Sequence, residues 1–399
     1  MKINVYGPDV YKSYVNKIVS KCINMKTADS CIVRNGLIHV NQKHSVMGVY
    51  DENNSFVPQS NLIVGKGVHK SGIRIGRKID YQDYDVLFLG DLHWHFGHFL
   101  LEHTNRMWAI NEFKDKVHKF VFVYSALVEK VPQWFWDFMT LVGVEKDRVL
   151  VLDKTVRFRN VIVPDAACCN EAVSNQWTQT FQGMAQFAES DKSYDKVYLS
   201  RMALEKRRTF GELQVQKIFE KNGFYILCPE KYTLLQQVGI MKNARVLAGC
   251  AGTALHLALF MKPGGRVVQI KRNSMIDDNL ASQYLIDSMS GLDTDVIWAS
   301  VEEEATEHFS SAPQIIAVND YMKEFFAKNN FVFSDKDLIS EYTEEKDYCE
   351  QLQQYKTKWG SVRANKIRNR IIKYSACLIP NRKLRGKYRA YMKARFVAR

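Results

Sequence analysis

Between Asp91 and Glu102 the chain reads Asp-Leu-His-Trp-His-Phe-Gly-His-Phe-Leu-Leu-Glu, and His103 follows directly. Imidazoles and carboxylates at this density suit acid–base work, contact with anions or sugars, or metal ligation. A helix entered at Gly97 puts His98 and Glu102 on one face, at i and i+4, where they can share a proton. The competing expectation is an ordinary helix-surface pair between Glu102 and Arg106. Metal ligation is disfavoured: His93, His95 and His98 stand close to Asp91 and Glu102, but no second ligand cluster appears. A second group of residues suits an anion. Ser200 and Arg201 close the alternating run that begins at Asp195, and Lys206, Arg207 and Arg208 come next. Residues 249–265 read GCAGTALHLALFMKPGG. Gly249 and Gly252 leave backbone N–H groups open to a phosphate, while Thr253 offers a hydroxyl or a helix cap. His256, one turn later, faces either the same ligand or the core.

The elements that must position these groups are legible in order. Residues 195–201 form a strand, Glu212–Asn222 a helix, Phe224–Leu227 a strand and Leu234–Lys242 a helix. The run Arg245–Ala248 leads as a strand into the Gly249 turn, an apolar helix follows, and Arg266–Ile270 closes the unit. This βαβαβ order requires a parallel sheet, and every candidate anion contact falls just after a strand's C-terminal end, where such sheets hold nucleotides. Upstream, residues 1–90 alternate short β-like runs with turns, and Val86–Leu89 enters the histidine-rich loop. A helix is expected from Phe99 to about Phe113, then a strand over Lys119–Tyr124, a helix over Pro132–Val142, and strands at Arg148–Leu152 and Val161–Pro164. The polar stretch near Ser190–Ser193 marks a domain junction. The expected domains are 1–190, 191–335 and a helical basic tail, 336–399.

Three blocks together resemble glycosyltransferase family 61, over roughly Asp91 to Ile270. Gly97–Trp108 (GHFLLEHTNRMW) is similar to the family's histidine, acidic residue four positions later, then helix. Tyr198–Arg201 (YLSR) with its following arginines is the second block, and the Gly249 turn with its LFMKPGG ending is the third. The resemblance implies α/β GT-B architecture, two Rossmann-like domains facing across a cleft. It also implies inverting transfer of a sugar from a nucleotide donor, a UDP-sugar in the simplest case, to a glycan acceptor. Glu102 then corresponds to the base, with His98 orienting it or the acceptor and the two roles open to exchange, and His93 and His95 lie on the acceptor side. Ser200, Arg201, Arg207 and Arg208 fall at the pyrophosphate; Gly249, Gly252, Thr253 and His256 at the turn; Gln269 at the ribose. Two positions depart from the family's pattern: Ala251 stands where a histidine is usual, and Gln269 where the closing strand often has a glutamate. An amide bonds a ribose hydroxyl less strongly than a carboxylate does. Such enzymes commonly hold the leaving diphosphate with side chains and helix dipoles. This chain has no Asp-x-Asp on a loop (Asp277-Asp278 is the nearest, and Asp293–Asp295 abuts a strand), so no metal or cofactor is expected. A polysaccharide pyruvyl transferase on a similar fold, or a non-catalytic scaffold at a membrane, are the alternatives.

A chain of 399 residues with 46% hydrophobic content can bury two cores. Neither a bilayer-spanning run nor a signal-peptide core appears, and the eight cysteines form no C-x-x-C pair. A reducing cytoplasm is the expected compartment. Charge is uneven: residues 356–399 hold 15 lysines and arginines and no acidic residue, leaving 41 basic against 43 acidic residues elsewhere. Ile367, Ile371, Tyr374 and Leu378, then Leu384, Tyr388, Tyr391, Met392 and Phe396, recur at helical spacing among these cations. Two basic amphipathic helices suit an anionic membrane surface, and with it a lipid-linked glycan acceptor in cell-surface polysaccharide synthesis such as capsule or lipopolysaccharide. Packing of the tail against the first domain is the competing expectation. Nucleic acid is not an expected partner, because no basic groove continues the tail.

Overall fold

The computed structural model describes residues 2–20, 23–24, 27–41, 46–61, 79–92, 95–124, 131–169, 172–188, 192–204, 209–276, 281–301, 312–334, 338, 346–357, 384 and 388. Expectations placed on His93, Lys206, Arg207, Arg208, Asp277, Asp278 and nearly all of the basic tail lie outside these residues.

The fold is α/β, and among the described residues two large sheets stand out. One has six strands, every neighbouring pair parallel, in the order Ile3–Tyr6, Asp293–Trp298, Arg266–Lys271, Val246–Cys250, Lys196–Leu199, Tyr225–Leu227. A parallel sheet is covered on both faces, so its strands must be apolar on both. Leu247 and Val267 accordingly enter one core, with Leu285 and Phe260. Ala248, Val268 and Ile270 enter another, with Val215, Phe219 and Phe325. The helices Glu212–Lys221 and Leu234–Met241 start where the sequence places them and end one residue early. Ile3–Tyr6, read from sequence together with 1–190, pairs with Asp293–Trp298 in this sheet.

The other sheet is mixed. Its path runs Val46–Tyr50, Leu37–Asn41, Val156–Pro164, Asp80–Leu92, Lys119–Tyr124, Val149–Leu152, and Ser30–Arg34 also pairs with Val156–Pro164. One apolar core reaches both sheets: Leu87 and Phe120 from the mixed sheet share it with Leu199 and Leu247 from the parallel one, through Phe138, Trp177, Phe181 and Val238. Asp137, in the middle of the helix Gln133–Leu141, accepts the N–H of Leu234 at 3.2 Å and so ties the first half to a helix of the second.

Two expected helices take other forms. Residues 96–113 are not one helix: an α-turn at Phe96–His98 passes into a π-turn at Phe99–His103, then a 3₁₀ turn at Met107–Ala109 and a last α-turn at Ile110–Phe113. Side chains that bond outside the helix set these breaks. Thr104 Oγ1 donates back to the carbonyl of Leu100 at 2.7 Å and accepts the indole N–H of Trp177 at 3.0 Å. After the Gly252 turn the helix is 3₁₀, Thr253–Phe260, and every residue from Leu255 to Phe260 is buried. With no solvent face, packing rather than amphipathic periodicity governs its winding. Among the described residues no helix is long and apolar enough to cross a membrane.

Candidate active site

The strand Asp80–Leu92 delivers the chain to the turn that begins at His95. His95 occupies the N-cap position of Phe96–His98, its Nδ1 accepting the N–H of His98 at 3.4 Å, and the two rings lie 4.9 Å apart. The π-turn then places Glu102 so that its Oε2 meets His98 Nδ1 at 2.9 Å, with 25% of the Glu102 side chain and 48% of that of His98 exposed. A π-turn inside a helix is a common mark of a functional site. The hydrogen bond to Glu102 is the main reason the His98 imidazolium keeps its proton above the ordinary histidine range; burial opposes it.

Arg106 does not pair with Glu102. Its guanidinium is buried, donating from Nε to the carbonyl of Pro164 at 3.1 Å and from Nη2 to those of Gln59 and Asn61 at 2.6 and 2.7 Å. Burial lowers its pKa to about 10, against the pull of Asp91 and Asp165, so it stays charged at neutral pH. Asp91 is engaged elsewhere as well: its carboxylate and carbonyl both receive His103 Nδ1, at 2.9 and 2.8 Å. Among the described residues of this turn, His98 and Glu102 thereby form an accessible acid–base couple. Among the described residues no group of three or more His, Cys, Asp or Glu could hold a metal ion.

Gly97 joins this turn to the parallel sheet. A Cβ built on it would stand 2.7 Å from Thr253 Cγ2 and 2.9 Å from Thr253 Oγ1, so only glycine allows the approach. Gly97→Ala is expected to destabilise the fold by about 1–3 kcal/mol and to lower turnover, because β-branched Thr253 cannot swing aside. Urea unfolding together with steady-state rates checks this, and wild-type values in both would remove the contact as the link between the two halves.

Thr253 lies just beyond the C-terminal end of the strand Val246–Cys250, beside Gly252. Two guanidinium groups converge there: a Cβ on Gly252 would be 3.4 Å from Arg201 Nη1 and 3.8 Å from Arg272 Nη2. Arg201 follows the neighbouring strand Lys196–Leu199, and Arg272 follows Arg266–Lys271 on the other side. Arg272 Nε donates to the carbonyl of Ala251 at 2.8 Å, which fixes it against the turn. Sequence reasoning passed over Arg272; its place directly after a parallel strand, level with Arg201, was the signal that could have found it.

The remaining sequence candidates spread out. Ser200 turns inward, donating to Gln216 Oε1 at 2.6 Å and accepting the N–H of Met202 at 3.2 Å, and so shapes the loop that carries Arg201. Gly249 sits within its strand, where a Cβ would press on the carbonyl of Leu199 at 3.0 Å. Gln269 is fully buried in register with Gly249 and Val296, and its carboxamide has no partner among the described residues. His256 is buried and bonds Gln283 at 2.9 Å; Gln283 donates in turn to Asp287, which also accepts Thr294. Burial drives the pKa of His256 down to about 4 and that of Asp287 up to about 7. Charge on His95 and His98 lowers His256 further, as expected of a core histidine just behind their turn.

What the arrangement can do is remove a proton at one side and hold an anion at the other, across the Gly97–Thr253 contact. The family model described as Glycosyltransferase 61 matches residues 96–268, a span that runs from the helix of His98 and Glu102 to the strand after the Gly252 turn. No curated protein matches the chain.

Proposed function

Taking as premise that the chain belongs to the glycosyltransferase 61 family and is a glycosyltransferase, we propose that it transfers a sugar with inversion, without a metal, from a nucleotide donor, a UDP-sugar, to a glycan acceptor. The observation that carries this reading is the packing of Gly97 on Thr253, which sets the His98–Glu102 pair beside the turn on which Arg201 and Arg272 converge. Glu102 takes the proton of the acceptor hydroxyl as that oxygen attacks the anomeric carbon, and His98 orients the carboxylate. The anomeric carbon–oxygen bond breaks, its electron pair leaves with the nucleoside diphosphate, and Arg201 with the Gly252–Thr253 backbone balances the developing charge. His95, at the mouth of the same turn, contacts the acceptor. In this reading the mixed and parallel sheets are the two halves of a GT-B enzyme, with the acceptor on the mixed-sheet side. We further propose that the protein works in the cytoplasm on cell-surface polysaccharide. The cations of 356–399 would dock it on an anionic membrane that presents a lipid-linked acceptor.

Thermal shifts with UDP, GDP, CMP, ADP and phosphoenolpyruvate, each with and without EDTA, test the donor class. A ligand at 100 times its Kd adds about 2.7 kcal/mol to the folded state, a rise of a few degrees. Stabilisation by UDP, unchanged by EDTA, supports a metal-independent transferase; a response to phosphoenolpyruvate alone turns the reading toward pyruvyl transfer. Arg201→Ala is expected to weaken UDP binding about tenfold or more, since a charged bond to phosphate contributes about 1.5–3 kcal/mol. Titration calorimetry checks it, and an unchanged Kd would remove Arg201 from the phosphate site.

A further inference from the structure

Beneath the two arginines lies a carboxyl group for which neither the acid–base pair nor the anion turn accounts. Glu212 opens the helix Glu212–Lys221 and is completely buried. Gly211 places it there: its φ is +78°, and a Cβ on it would lie 1.9 Å from the carbonyl of Ile316, so no other residue fits. Glu212 Oε1 accepts the backbone N–H of Arg201 at 2.9 Å, and the carboxyl also meets the buried Tyr198 hydroxyl.

We propose that Glu212 is a positioning residue for a two-arginine clamp, Arg201 and Arg272, and that it takes up a proton when the diphosphate of a nucleotide donor occupies that clamp. This rests on the reading of the Arg201 turn as the phosphate site.

The geometry supplies the coupling. Glu212 fixes the Arg201 loop from below, Ala251 fixes Arg272, and the guanidinium ends meet over Gly252. Among the described residues, the charged and titratable groups around the carboxyl act on it or respond to it. Arg201 and Arg272 favour its charged form and Glu230 opposes it; a negative Glu212 raises the Tyr198 hydroxyl and the Cys250 thiol. Burial outweighs the arginines and pushes the carboxyl up to about 7. A diphosphate on the arginines spends their positive field on itself, so the carboxylate beneath loses its support and binds a proton. By linkage, affinity is then highest below the carboxyl's pKa in the free protein and falls as pH rises through it.

The chain is titrated with UDP, and with GDP as a second nucleotide, at several pH values from 7.5 to 9, where the terminal phosphate is largely ionised. In the wild type the Kd is expected to rise about fivefold or more over this range. Calorimetry at pH 8 in buffers of different ionisation enthalpy should show net proton uptake. Glu212→Gln keeps an acceptor for the Arg201 N–H but cannot titrate, and its Kd should be flat with pH. Arg272→Ala should weaken binding at all pH values. A wild type that binds nucleotide with no proton uptake overturns the proposal while leaving the donor reading intact, and this outcome needs no variant to fold. A slope that persists in Glu212→Gln overturns it too. Absence of binding by either nucleotide overturns the donor reading, and the proposal with it.

Discussion

Glu102→Gln is expected to lower the turnover of sugar transfer by about 10²-fold or more while leaving folding and donor affinity unchanged, because it removes a positioned base. The substitution is close to isosteric. Its amide oxygen can still accept the Nδ1–H of His98, now 2.9 Å from Glu102 Oε2, so the π-turn retains its internal bond. What is lost is the capacity to hold a proton. The same change has a second, independent readout. The bond to Glu102 is what keeps His98 protonated above the ordinary histidine range, so the titration of His98 followed by NMR should move to lower pH in the variant. Wild-type turnover with a shifted His98 would remove Glu102 as the base yet keep the pair as a structural fact. An unshifted His98 would mean that the two side chains do not bond in solution.

The second large effect concerns stability. Arg106→Met is expected to cost about 3–5 kcal/mol, as when a buried hydrogen-bond network is broken. Methionine fills much of the volume but leaves the carbonyls of Pro164, Gln59 and Asn61 without their donor. The Pro164 carbonyl is buried, and leaving it unbonded alone costs about 1–3 kcal/mol. These carbonyls come from separate segments, the end of the strand Val156–Pro164 and the 3₁₀ turn Pro58–Ser60 with its capping Asn61, so one side chain fastens two segments to the underside of the His98–Glu102 turn. Chemical denaturation should show the loss directly, and thermal unfolding a Tm lower by about 10 °C. If instead Arg106→Met stays as stable as the wild type and loses activity, Arg106 acts at the site rather than beneath it.

Arg106 also shows why local spacing misleads. From sequence, Glu102 and Arg106 are an i,i+4 pair on a helix. In the fold the helix loses its regular pitch between them, and the arginine turns toward carbonyls that are more than 40 residues away in sequence. The i,i+4 pair that does form, His98 with Glu102, was legible for the same reason the other was not: both of its members lie before the helix is broken at Thr104.

Periodicity and turn chemistry alone determined the parallel unit from Asp195 to Ile270, because alternating apolar runs, caps and glycines act over a few residues and need no distant partner. The same signals located Arg201 and Gly252 as candidate anion contacts and Gly97 as the entry to a helix. Only the tertiary structure decided which of them meet. That Gly97 touches Thr253, that Arg272 joins Arg201 over Gly252, and that Ile3–Tyr6 adds an edge to a sheet built mainly from residues beyond 195 are all pairings across long stretches of chain. It likewise turned Ser200, Gln269 and His256 toward the interior, where buried polar groups must find partners or shape the packing around them. A sequence states which groups are present and how they are spaced; burial sets which of those groups stay charged and which face the solvent, and burial is a property of the whole fold.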